Sequence, residues 1–169
     1  GCDLRCSYCV YPKLGGDRMR LRLPEHVAAE MERLHKAHGV TLFHFTDAVV
    51  NRPADHFEAV CRAIIQRRLK IEWTGFFRED SLSGPQLDLA LRAGLVAIYF
   101  SADGMTDQGL RILAKRMTKS QILEAARLTA SRRVLTICHF LVNLPGEKPG
   151  DFDEARQTLD RILDIHAPA

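Results

Sequence analysis

Three cysteines near the start of the chain constrain it more than any other feature. Cys2, Cys6 and Cys9 stand in the spacing C-x3-C-x2-C, with Tyr8 directly before the last thiol. A lone C-x-x-C pair is common to zinc ribbons, redox turns and iron–sulfur clusters. Structural zinc takes four protein ligands and ferredoxin-type clusters take four cysteines. This loop supplies three, and Cys61 and Cys138 lie far away in apolar-periodic segments, where they read as packed small hydrophobes. One metal position is therefore left for a ligand that is not protein, unless one of the seven histidines completes a Cys3His zinc site. A disulfide framework does not fit, because five cysteines is an odd count and a chain that is 46% hydrophobic needs no staples.

The 169 residues suffice for one domain with a real core, and 27% charged residues is ordinary for a globular protein. A formal net charge of +3, spread along the chain apart from groups such as Arg18, Arg20 and Arg22, gives no indication of nucleic acid. No apolar run approaches the roughly 18 to 20 residues of a bilayer span, and no signal peptide opens the chain. The reading is a cytoplasmic protein, where thiols stay reduced. The chain opens on Gly1 rather than an initiator Met and ends after an amphipathic stretch, so it reads as an excerpt.

Strand and helix patterns alternate along the chain. Residues 10–22, with Gly15 and Gly16, read as a polar loop around the cysteines. Pro24 opens a helix carrying Val27, Met31 and Leu34, closed by Gly39. Residues 40–46 (VTLFHFT) are β-branched and aromatic, hence a strand. Asn51 and Pro53 open a helix with Phe57, Val60, Cys61 and Ile64 on its buried stripe. Leu69, Ile71 and Trp73 alternate with polar residues as a strand, residues 75–80 follow as a loop, and Ser83 and Pro85 start a helix stopped at Gly94. Residues 95–100 are a continuous apolar run of the kind found in buried parallel strands, and residues 134–142 read as another buried strand. Two helical stretches separate them, and Asp151 with Glu154 reads as a capping box ahead of Phe152, Ala155, Leu159 and Ile162. The reading is an α/β chain of parallel strands: an incomplete (βα) barrel, with a first and a last strand absent from 1–169, a cluster loop over 1–22 and βα units over 24–166.

Polar residues gather just past the strands: Asp47, Arg78 with Glu79, Ser101 with Asp103, and Asn143 with Glu147. In a parallel barrel those strand ends share one face, where active sites are built. His44 and His139 sit inside apolar strands and read as hydrogen-bonded core histidines, with His166 a further candidate acid–base group. Trp73 reads as packing, whereas Phe76 could stack on a substrate.

The cysteine spacing with its aromatic residue resembles the signature of the radical S-adenosylmethionine superfamily, C-x3-C-x-(aromatic)-C, without a departure. The resemblance implies that Cys2, Cys6 and Cys9 hold a [4Fe-4S] cluster whose fourth iron is chelated by S-adenosylmethionine, with Tyr8 beside the adenine. It implies reductive cleavage of that cofactor to a 5′-deoxyadenosyl radical, fed by a one-electron donor of flavodoxin or ferredoxin type. Thr46-Asp47 stands where the family places a strand-end motif, usually Gly-Gly-Glu, that binds the methionine amino group, which points to Asp47. Ser101 and Asp103 occupy the strand position that in the family often contacts the ribose hydroxyls and carboxylate, and a carboxylate suits a diol because the diol offers two donors. Residues 142–147 (VNLPGE) are similar to the family's G-x-P-G-E turn beside the adenine, which brings in Glu147 and, in place of a glycine, Asn143.

The segments TDAVVNRP, WTGFFRED, SADG and NLPGE are together similar to family members that carry cobalamin and often methylate unreactive carbon or phosphorus. The loop CSYCVYPKLGG is similar to that of the methylthiotransferases, an alternative function. A third reading, a non-catalytic zinc or iron–sulfur module, accounts for the cysteines but not for Asp103 or the NLPGE turn.

Overall fold

The computed structural model describes residues 1–167. Four strands, β1 (Leu42–Phe45), β2 (Glu72–Phe77), β3 (Leu95–Asp103) and β4 (Leu135–Phe140), form one parallel sheet in the order β1-β2-β3-β4. Sequential order without a reversal point is the winding of a (βα) barrel rather than of a doubly wound sheet. The sheet is open, with β1 and β4 at its edges. None of the described helices is long and apolar enough to cross a membrane.

The helices are α1 (Tyr11–Gly15), α2 (Pro24–His38), α3 (Ala54–Gln66), α4 (Gly84–Arg92), α5 (Asp107–Ile112), α6 (Lys119–Ser131) and α7 (Pro149–His166). The main core joins Met31 of α2, Phe57 and Ile64 of α3, Leu87 of α4 and Ala125 of α6 to Trp73 and Phe77 of β2 and Ile98 and Phe100 of β3. A second cluster gathers Leu110, Met117, Ile122, Leu123 and Ile162 on Ala102. Because successive residues of a strand point to opposite faces, these contacts leave His44, Phe76, Tyr99 and His139 on the other face. Trp73 is the keystone of the core, 1% exposed, stacked on Phe77 at 6.1 Å and donating its indole N–H to the Ala93 carbonyl at 3.0 Å. Gly94 permits that approach: its φ is +96°, and a Cβ there would lie 2.3 Å from the Ile71 carbonyl oxygen.

Local chemistry sets the helix ends. Ser83 with Gln86 and Thr118 with Gln121 close capping boxes. Several expectations need correction. The loop expected over 10–22 contains α1, nucleated by Pro12 near its start. Strand β2 begins at Glu72 and runs on to Phe77, and residues 79–81 form a 3₁₀ turn. Asn51 does not cap α3, whose N-cap is Pro53. On α7 the Asp151 carboxylate accepts from the Lys148 N–H at 2.7 Å, so the helix starts earlier, and Glu154 instead pairs with Lys119. Thr158 and Ile162 are its buried residues, one turn apart, while Phe152, Leu159 and Leu163 are exposed.

Candidate active site

The C-terminal strand ends and the cysteine loop enclose a cavity of about 630 Å³. Cys2, Cys6, Cys9 and Tyr8 line one side; Asp47, Phe76, Arg78, Ser101, Asp103, Lys115 and His139 line the other. The loop is anchored from two directions. The Cys2 N–H donates to the Gly16 carbonyl at 3.1 Å, and Ser7 donates its N–H to Leu113 and its hydroxyl to Ile112, at 3.0 and 2.8 Å. All three thiols are free. Burial raises the pKa of Cys6, while Lys115 and Arg78 oppose that effect.

Asp103 is the centre of the opposite wall. It ends β3 with φ 61°, a left-handed conformation that Asp tolerates better than most residues and that commonly marks functional sites. Its Oδ2 accepts from the Tyr8 hydroxyl and lies 2.5 Å from Lys115 Nζ. Burial and that hydrogen bond to the Asp103 carboxylate both raise the Tyr8 pKa, so Tyr8 stays a phenol that donates. Lys115 also donates to the Ser101 carbonyl at 2.5 Å, and its ammonium lies 5.4 Å from the Tyr8 ring centroid. Only 5% of Lys115 is exposed, and it sits between two residues of positive φ, Ala114 and Arg116, which turn the chain so that the lysine enters the site. Periodicity does not single Lys115 out; the one sequence signal is a lysine between the apolar Leu113 and Met117.

A second layer holds these groups. Arg78 grips Asp80 through two bonds, at 2.7 and 3.0 Å, and donates to the Lys115 carbonyl. Asn51, fully buried, exchanges two 2.9 Å hydrogen bonds with the backbone of Arg78 and so ties the segment before α3 to the end of β2. Glu79 lies behind this layer, 4% exposed, with neither carboxylate oxygen hydrogen-bonded. Burial pushes its pKa up to about 7; the backbone amides of Glu79 and Ala102 lie close enough to favour the anion but outside hydrogen-bonding geometry.

The structure thus brings together Cys2, Cys6, Cys9, Tyr8, Asp47, Ser101 and Asp103 around one cavity. Asn143 and Glu147 are not among its lining residues. Asn143 is exposed with φ 60°, and Glu147 closes its own turn by accepting from the Leu144 N–H at 2.6 Å. Cys61 is buried on α3 as expected, but Cys138 also reaches the cavity lining. His44 and His139 are not core residues: both are exposed on the inner face, bonded through Nδ1 to Thr74 Oγ1 at 2.7 Å and to the Phe100 carbonyl at 3.1 Å. Among the described residues no three His, Cys, Asp or Glu side chains are grouped as ligands of a single metal ion.

Known proteins resemble this chain in sequence and fold. The chain is 27% identical over 175 residues to the anaerobic magnesium-protoporphyrin IX monomethyl ester cyclase of Synechocystis sp., covering 98% of this chain and 34% of that protein. It is 26% identical to the ribosomal protein uS12 methylthiotransferase of Pelobacter propionicus, covering 95% and 38%. The radical S-adenosylmethionine methyltransferase TsrM of Kitasatospora setae, solved with tryptophan and the analogue aza-SAM, superimposes with a TM-score of 0.88 at 26% identity, over 99% of this chain and 33% of that one. The same enzyme with cobalamin and a [4Fe-4S] cluster bound gives 0.84 at 25%. The chain therefore spans about a third of the length of these relatives. The Radical SAM superfamily profile matches residues 1–159, and the chain belongs to that superfamily, whose enzymes use a [4Fe-4S] cluster and S-adenosylmethionine and draw on an electron donor.

Proposed function

We propose that this chain is the single core domain of a radical S-adenosylmethionine enzyme, in which Cys2, Cys6 and Cys9 hold the cluster and the facing wall binds S-adenosylmethionine. The observation that carries the reading is one cavity with three free thiols on one side and the buried Lys115–Asp103 pair on the other. When bound, the cluster would supply the electron that cleaves the cofactor. The residues do the rest. Asp103 accepts hydrogen bonds from the ribose hydroxyls, held in place by Tyr8 and Lys115. The Lys115 ammonium balances the buried Asp103 charge and offers its remaining donor to the cofactor carboxylate. Ser101 holds Lys115 through its carbonyl, Arg78 holds it from behind, and Asp47 faces the methionine amino group. Glu147 and Asn143 act by shaping the turn beside the adenine rather than by lining the cavity.

A cobalamin-dependent methyltransferase is the reaction class best supported, because a cobalamin-binding methyltransferase superimposes on 99% of the chain. A methylthiotransferase is the second reading, favoured by the CSYCVYPKLGG loop. The electron donor would be an acidic flavodoxin or ferredoxin in the cytoplasm. Residues 1–23 carry five basic and two acidic residues, a net excess beside the cysteines that favours an acidic partner there. Anaerobic reconstitution with iron and sulfide tests the ligand set. The wild type should gain the broad visible absorption of a cluster, and Cys2→Ala, Cys6→Ala and Cys9→Ala should each lose it. Full iron loading in the triple variant would defeat the reading.

A further inference from the structure

The inner face of the sheet carries a layer of four rings, one from each strand: His44 of β1, Phe76 of β2, Tyr99 of β3 and His139 of β4. Phe76 and Tyr99 are direct partners in the parallel register. The rings are contiguous. His44 lies 5.6 Å from Phe76 and 5.5 Å from Tyr99, Phe76 lies 5.5 Å from Tyr99 and 5.9 Å from His139, and Tyr99 and His139 run nearly parallel, with 16° between their planes. Both histidines are exposed and the other two rings are half-buried, although every strand's opposite face is packed under helices.

Two features separate this layer from ordinary barrel filling. A packed barrel interior is dominated by bulky branched aliphatic residues, whereas the four contiguous rings are aromatic and heteroaromatic, with Thr74, Ser101 and one aliphatic side chain, Ile137, the register partner of Tyr99, beside them. The layer is also continuous with the candidate active site, since Phe76 and His139 line the cavity into which the three cysteines face. Its polar end has a defined chemistry. A carbonyl can only accept, so His139 Nδ1 carries the hydrogen that it donates to Phe100 O at 3.1 Å, which makes Nε2 the ring position open to a ligand's donor.

We propose that these four rings are the substrate platform, and that the substrate is a planar aromatic or heteroaromatic ring system bearing an N–H or O–H group. Flat rings stack or meet edge-to-face on such a surface, and His139 Nε2 accepts the substrate's donor. The inference rests on the proposed function only in naming the occupant a substrate; binding itself is independent of radical chemistry.

The test uses the iron-loaded full-length protein with ¹³C-labelled histidine, titrated in an NMR tube with three probes. They are 2-naphthol, its saturated analogue decahydro-2-naphthol, and 2-methoxynaphthalene, which keeps the rings but has no donor. We expect 2-naphthol to shift the His44 and His139 resonances and to bind at least tenfold more tightly than the saturated probe, with the methyl ether in between. The double variant Phe76→Leu/Tyr99→Leu should lose at least tenfold in affinity for 2-naphthol. In His139→Phe, which keeps a ring and is the milder change, 2-naphthol and its ether should bind alike. Equal binding of the aromatic and saturated probes, or a folded leucine double variant with unchanged affinity, overturns the platform. Release of 5′-deoxyadenosine from a protein that fails these titrations would leave the proposed function standing while the platform falls. Probe binding without cofactor cleavage would do the reverse.

Discussion

Removing the Lys115 ammonium should destabilise the protein by about 3–5 kcal/mol, the usual cost of stripping one partner from a buried ion pair. The geometry places this pair in that class: Lys115 Nζ is 2.5 Å from Asp103 Oδ2, and the side chains are 6% and 10% exposed. Lys115→Met keeps the stem and its packing but leaves the Asp103 carboxylate with the Tyr8 hydroxyl as its only remaining partner in the pair's network. The Ser101 carbonyl loses its donor as well. With a urea slope of about 2 kcal/mol/M, the unfolding midpoint should fall by about 1.5–2.5 M without a change in slope. Asp103→Asn introduced into Lys115→Met removes the stranded charge, so the double variant should be more stable than Lys115→Met alone. This inverted order is the signature of a buried uncompensated charge and isolates the coupling between the two residues. If Lys115→Met costs less than about 1 kcal/mol, or if adding Asp103→Asn makes it worse, the Lys115–Asp103 pair is not the electrostatic centre of the wall.

Glu79 gives a pH prediction. Its pKa is raised by burial from 4.5 to about 7, so the folded state favours the protonated form. Its contribution to stability is full below pH 4.5, is lost as pH rises to about 7, and is flat beyond; at ~1.4 kcal/mol per unit this amounts to about 3 kcal/mol. Urea denaturation at pH 5 and pH 8 should show a smaller loss in Glu79→Gln than in the wild type, and identical losses would refute the assignment. Trp73→Ala should cost about 3–5 kcal/mol as a core truncation while leaving iron content per folded protein unchanged. Cys138→Ser should lower stability and keep full iron loading, even though Cys138 touches the cavity; loss of iron in a folded Cys138→Ser protein would contradict a three-cysteine ligand set.

The alternation of strand and helix was legible because each βα unit writes both periods into the chain, as in Trp73 to Phe77 against the Phe57–Ile64 stripe. The cysteine loop was legible from spacing alone. Lys115 was not, because what carries it into the site is backbone conformation at Ala114 and Arg116, which leaves no periodic trace. For His44 and His139 the sequence showed their alternation with Phe43, Phe45 and Phe140 but not which face the helices would cover. Helices cover the phenylalanine side, so the histidines face the open side. On α7 the apolar stripe misled for the related reason that phase is set by the neighbours a helix has: Thr158 and Ile162 are buried, while Phe152 is 68% exposed. The second-layer bond from Asn51 to Arg78 joins residues 27 apart, and its Asn–Pro surroundings read locally as a helix start.

Cleavage of S-adenosylmethionine tests the central claim most directly. The reconstituted full-length protein, holding about four irons per chain, is reduced with dithionite in the presence of S-adenosylmethionine, and 5′-deoxyadenosine is quantified by chromatography. The account predicts 5′-deoxyadenosine from the wild type and none from the Cys2→Ala/Cys6→Ala/Cys9→Ala variant. A wild type with its full iron complement that releases no 5′-deoxyadenosine under reducing conditions, or equal release from the triple variant, would contradict it.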